Sequence, residues 1–154
     1  MPWLVIGYGC DLAGDDGFGL SVAKLVAKSA DQETALVLAQ RILAPELVDK
    51  IRLADGVIFV DASATLPVGE LRCTDLQELR QANQAEQSTS AILASHHCDP
   101  VVLMQLSDTL YDSRPPAWLY AVGASHFDLS ENLSDTLAEL VPQVASQILE
   151  RMKL

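Results

Sequence analysis

Apolar residues in this chain fall into short unbroken runs that alternate with stretches of helical period. Residues 3–7 (WLVIG) form an apolar run closed by glycine, the pattern of a strand buried on both faces of a parallel sheet. From about residue 16 to residue 28, Leu20, Val22, Ala23, Leu25 and Val26 repeat at helical spacing, which predicts a helix after a glycine-containing loop. Residues 35–39 (ALVLA) predict a second strand. Residues 45–53 (PELVDKIRL) predict a helix with proline at its first position.

Residues 56–60 (GVIFV), β-branched and aromatic, are the clearest strand, and they end at Asp61, so a carboxylate is expected at the strand's C-terminal end. Pro67 and Gly69 mark a turn within residues 66–74, leading into an edge strand. Residues 77–90 are polar and read as a surface loop. A helix over residues 101–110 follows Pro100, and residues 118–123 (WLYAVG) give another buried strand. The apolar stripe of residues 133–152 predicts a final helix interrupted by Pro142, with Ser134 starting an incomplete capping box.

The resulting order is β, α, β, α, β, β, α, β, α. Strands separated by helices imply an α/β fold, a single-domain three-layer α/β/α sandwich over residues 1–154, its sheet mainly parallel with one antiparallel or edge strand. A length of 154 residues with 49% hydrophobic content suits one domain with one substantial core.

Charge narrows the partners. Lys and Arg number 10 against 21 Asp and Glu, a formal net charge of −11, which disfavours nucleic acid and anionic membrane surfaces. Cys10, Cys73 and Cys98 are odd in number and widely spaced, so neither a disulfide framework nor a zinc knuckle is indicated and a reducing compartment is expected. The opening Met1-Pro2-Trp3 lacks the basic region of a secretory signal, and no apolar run approaches the roughly 20 residues of a membrane span. A cytoplasmic location is the expectation.

In open α/β sheets, ligands bind beyond the carboxyl ends of the strands. That rule selects the acidic glycine loop of residues 7–19, Asp61, and the segment Ser95-His96-His97-Cys98-Asp99. Gly7-Tyr8-Gly9 opens like a dinucleotide-binding fingerprint, but Leu12 stands where the third glycine belongs, and acidic residues crowd the helix start where a pyrophosphate would sit. Two carboxylates and an imidazole at one crevice instead suit a divalent metal with open coordination positions. The plainer alternative is that Asp15 or Asp16 caps the helix, Asp61 satisfies loop amides and the His pair faces solvent. Cys10 and Cys98 beside these loops raise the option of a thiol nucleophile or soft ligand, whereas Cys73 reads as structural and Trp3 and Trp118, in predicted strands, read as core. His126, isolated after the last strand, reads as a surface or packing residue.

GYGCDLAGDDGFG, GVIFVDA with PVG a few residues on, SHHCDP, and the closing AVGA and ENLS segments resemble, in order and spacing, the signature segments of hydrogenase maturation endopeptidases. The resemblance runs through most of the chain. It implies a five-stranded sheet between helices and a metal site of Asp16, Asp61 and His96, with His97 as the alternative imidazole. Asp16 rather than Asp15 matches the family's ligand because it immediately precedes Gly17-Phe18-Gly19. Members remove a short C-terminal peptide from the large-subunit precursor of nickel–iron hydrogenases after nickel insertion, so the implied metal is the substrate's own nickel. Asp16 and Asp61 are then the candidates for activating water, and the protein is expected to act as a monomer. One departure is Gln40-Arg41-Ile42-Leu43-Ala44-Pro45-Glu46, where many members carry a glycine-rich turn. In this the chain looks most like the subgroup serving bidirectional, NAD-linked hydrogenases. Rival functions are another metal-dependent peptide or amide hydrolase, and a non-catalytic nickel-binding assembly factor.

Overall fold

A computed structural model describes residues 2–77 and 98–153 of the chain. In order along it come β1 (Trp3–Tyr8), a 3-10 turn (Gly14–Gly17), α1 (Phe18–Ser29), β2 (Ala35–Gln40) and a second 3-10 turn (Pro45–Leu47) running into α2 (Val48–Ile51). Then follow β3 (Val57–Ser63), β4 (Leu71–Asp75), α3 (Pro100–Tyr111), β5 (Ala117–Gly123) and α4 (Asp135–Met152). The strands form one five-stranded sheet in the order β2-β1-β3-β5-β4, in which only β4 runs antiparallel to its neighbour.

Alternate residues of the central strands feed two cores. Val5, Ile58 and Val60 pack with Phe18, Val22, Val144 and Ile148 of α1 and α4. Leu4, Ile6, Val57 and Phe59 pack on the other face with Val48, Ile51, Leu103 and Leu106 of α2 and α3. This two-sided burial is why the strands read as unbroken apolar runs. Ile58, Phe59 and Val60 are completely buried, and each contributes about 1.5–3 kcal/mol through its apolar area.

Several expectations need correction. Asp61 lies inside β3 and not beyond its end, because pairing with β5 carries the strand on through Ala62 and Ser63. The helix expected over residues 45–53 is a 3-10 turn and one short α-helical segment. Pro142 does not interrupt α4. It lies on the exposed face, where the Ala138 carbonyl left without its amide partner can bind water. The cap expected at Ser134 forms, its hydroxyl accepting from the Leu137 amide at 3.4 Å.

Trp3 and Trp118 are partly exposed and stack on each other at 5.6 Å between centroids, with the Arg151 guanidinium over Trp118. Cys73 is exposed on the edge strand. Of the polar segment 77–90, only Gln77 lies among the described residues. No helix among the described residues is long and apolar enough to cross a membrane.

Candidate active site

The chain leaves β1 for β2 on one side and later crosses to β3 on the other. The loops after β1 and β3 therefore diverge and open a crevice at the carboxyl edge, the usual ligand position in such sheets. Register aligns Gly7 with Val60 and Tyr8 with Gln40, so Tyr8, Gln40 and Asp61 reach one level.

The adjacent Asp15 and Asp16 have opposite fates. Asp15 has no exposed surface. Its Oδ1 accepts from the Ser134 amide at 2.7 Å, and its Oδ2 from the Ser125 and His126 amides at 3.2 and 3.3 Å and from the Ser134 hydroxyl at 3.1 Å. Asp16, one step further round the tight turn, lines the cleft, and its Oδ2 accepts from the Cys10 amide at 2.7 Å. Neither side chain caps α1, whose N-cap is Gly17. Gly9 allows the approach of Asp16, since its positive φ disfavours other residues and a Cβ there would meet the Asp16 carbonyl. The Cys10 amide, which a dinucleotide loop would offer to phosphate, is thus held by the loop's own carboxylate.

Asp61 faces the same cleft, which has a volume of about 320 Å³ and whose lining includes Tyr8, Asp16, Arg41, Ile42, Asp61 and Cys98. Asp61 Oδ2 accepts from the Tyr8 hydroxyl at 3.1 Å and Oδ1 from the Ala62 amide at 2.8 Å. Burial pushes its carboxyl up to about 6 despite those two donors, and the charge of Asp16 adds to the rise. Burial and the nearby carboxylates of Asp61, Asp99 and Asp16 hold the Tyr8 hydroxyl protonated far above its usual range.

The cleft thus gathers Asp16, Asp61 and Cys98, while His96 and His97 lie outside the described residues. Among the described residues, no three His, Cys, Asp or Glu side chains are grouped closely enough to hold a metal ion. Burial, Asp99 and Glu46 raise the Cys98 thiol, which keeps it protonated and makes it a poor nucleophile. Cys10 Sγ accepts from Arg41 Nη2 at 3.6 Å. His126 serves the loop through its backbone, and its half-exposed ring lies 3.6 Å from Asp128. Sequence reasoning missed Tyr8. The available signal was a polar-tipped aromatic at the end of an otherwise apolar strand, on the crevice edge.

No protein-family model matches the chain, and no curated protein matches it in sequence. Solved structures do match. A NiFe hydrogenase maturation protease, HycI, from Thermococcus kodakarensis superposes with a TM-score of 0.74 at 22% identity, covering 99% of this chain and 93% of that one. A hydrogenase 2 maturation peptidase from a thaumarchaeon gives 0.71 at 19% identity, covering 100% and 99%. The hydrogenase maturating endopeptidase HybD from E. coli gives 0.71 at 18% identity, covering 99% and 93%. The chain shares the fold of these peptidases along essentially its whole length.

Two predictions follow from the contrasting carboxylates. Asp15→Asn sets an amide NH2 against buried donors and should destabilise by about 2–4 kcal/mol, whereas Asp16→Asn keeps an acceptor for the Cys10 amide and should change stability by less than about 1 kcal/mol. Urea unfolding measures both, and equal losses would contradict the assignment.

Because the folded-state pKa of Asp61 is raised, its contribution to stability is complete below about 4 and is lost as pH rises through about 6. Asp61→Asn should therefore be more stable than wild type at pH 7 by about 1–2 kcal/mol, allowing for solvent screening, with the gain vanishing near pH 4. Thermal melts at the two pH values decide, and a gain independent of pH would refute the account.

Proposed function

We propose that this chain is an endopeptidase that releases a C-terminal peptide from the nickel-loaded large-subunit precursor of a nickel–iron hydrogenase. The observation that carries the reading is the convergence of Asp16 and Asp61 on one switch-point cleft. Support comes from a fold shared along 99% of the chain with a solved NiFe hydrogenase maturation protease.

The donor chemistry fits a borderline divalent cation. The charge of Asp16 adds to the proton affinity of Asp61, so a positive charge between the two would be favoured, and an imidazole beside them would suit nickel. Asp16, Asp61 and His96, with His97 as the alternative, would hold the nickel carried by the precursor, so the metal enters as part of the substrate. Bound there, it would polarise the scissile carbonyl.

The chain's own residues supply the proton transfer. With a carboxyl near 6 in the free enzyme, Asp61 is largely ionised at neutral pH and can take a proton from the attacking water and return it to the leaving amine as the C–N bond breaks. Asp16 stays oriented by the Cys10 amide. Cleavage is of the aspartyl type, with no thiol intermediate. Arg41 and the exposed Ile42 stand at the rim of the cleft, where residues 40–46 would contact the precursor and set its identity. The resemblance of that segment supports reading the substrate as the precursor of a bidirectional, NAD-linked hydrogenase. The enzyme works as a cytoplasmic monomer, without nucleic acid or membrane partners.

Incubation with nickel-loaded and nickel-free precursor, followed by intact mass, should show truncation of the loaded form alone. The value of kcat/KM should rise with pH through about 6 as Asp61 of the free enzyme ionises. Asp16→Asn, Asp61→Asn and His96→Ala should each abolish truncation. Binding without truncation would favour an assembly factor, and indifference to both precursors would favour an unrelated hydrolase.

Replacing residues 40–46 with those of another subgroup should shift precursor preference. Unchanged preference would remove this segment from recognition.

A further inference from the structure

Asp61 is gripped from two directions. The Ala62 amide belongs to the same strand and moves with it, whereas Tyr8 comes from β1, across the switch-point crevice. Its hydroxyl bond at 3.1 Å is therefore the tie between the carboxylate and the strand from which the glycine loop departs. Tyr8 is half-buried and lines the cleft together with Asp61 and Asp16.

A donor with these properties is well suited to orienting a carboxylate. Its hydroxyl donates to Asp61 Oδ2 and leaves the Ala62 amide to Oδ1, so each oxygen of the carboxylate has its own donor. The ring is fixed at the strand end, so the hydroxyl has little freedom to leave. A carboxylate with one oxygen engaged by each of two donors has its plane set, and the remaining lone pairs face the reacting groups in one arrangement.

We propose that Tyr8 is a positioning residue for the cleavage reaction, its hydroxyl holding Asp61 in the orientation in which it meets the attacking water. The role rests on the reading of Asp61 as the group that acts on the peptide bond. It adds to that reading a residue from another strand whose loss leaves both carboxylates in place.

Tyr8→Phe keeps the ring and removes only the donor. With nickel-loaded precursor, kcat should fall on the order of 10- to 100-fold while KM stays within about twofold, the pattern of a lost orientation and not of lost binding. A kcat within about twofold of wild type would overturn the proposal, as would a loss confined to KM.

A cycle of melting temperatures tests the tie without any substrate. Tyr8→Phe should lower Tm in the wild-type background and leave it unchanged in Asp61→Ala, whereas equal shifts in both backgrounds would show that the two side chains are uncoupled and refute the proposal. If wild type leaves every precursor intact, the peptidase reading falls and the positioning role falls with it. Active wild type with an active Tyr8→Phe variant removes Tyr8 alone.

Discussion

Asp15 is a carboxylate with no exposed surface, and among the described residues no cation bonds to it. Such a group is stable in an interior only when its oxygens are saturated with donors, and here three backbone amides and one hydroxyl supply them. The donors come from the segment between β5 and α4, more than a hundred residues along the chain. One buried side chain thus binds the loop after β1 to the loop before the last helix. The geometry of the turn then follows: with Asp15 committed inward, the next side chain in a 3-10 turn is rotated by about a third of a circle, and Asp16 reaches the cleft. The glycines of the loop permit this path, and the Cys10 amide completes it.

The cleft that results brings two like charges together in partial burial. Asp61 answers by holding its proton more tightly, and the Tyr8 hydroxyl and Ala62 amide only partly offset the effect. A site of this kind opposes the stability of the empty protein and favours any ligand that brings positive charge. The same tension supplies a base of suitable strength near neutral pH. Stability and chemistry are therefore opposed at Asp61, whereas Asp15 serves stability alone, although both are aspartates at the carboxyl edge of the sheet.

Much of the architecture was legible along the chain. Apolar runs such as LVI in β1 and VIFV in β3 mark strands buried on both faces, and the helical period of Leu20 to Val26 marks α1. Failures occurred where tertiary contacts override local signals. Pairing with β5 extends β3 past Asp61, and solvent on the outer face of α4 tolerates Pro142. Trp118, in a predicted strand, read as core, yet it is partly exposed, stacked on Trp3 beneath the Arg151 guanidinium.

The order of residues alone determined the α/β class, the alternation of strands and helices, and the crowding of carboxylates near strand ends, because each depends on periodicity or adjacency. It could not separate Asp15 from Asp16 on physical grounds, since neighbours of identical chemistry differ only in which distant groups they meet. Nor could it reveal that Tyr8 reaches Asp61, a contact between residues 53 positions apart. Strand order made those decisions. By placing β1 between β2 and β3, it opens the crevice and brings together side chains that the chain itself keeps far apart.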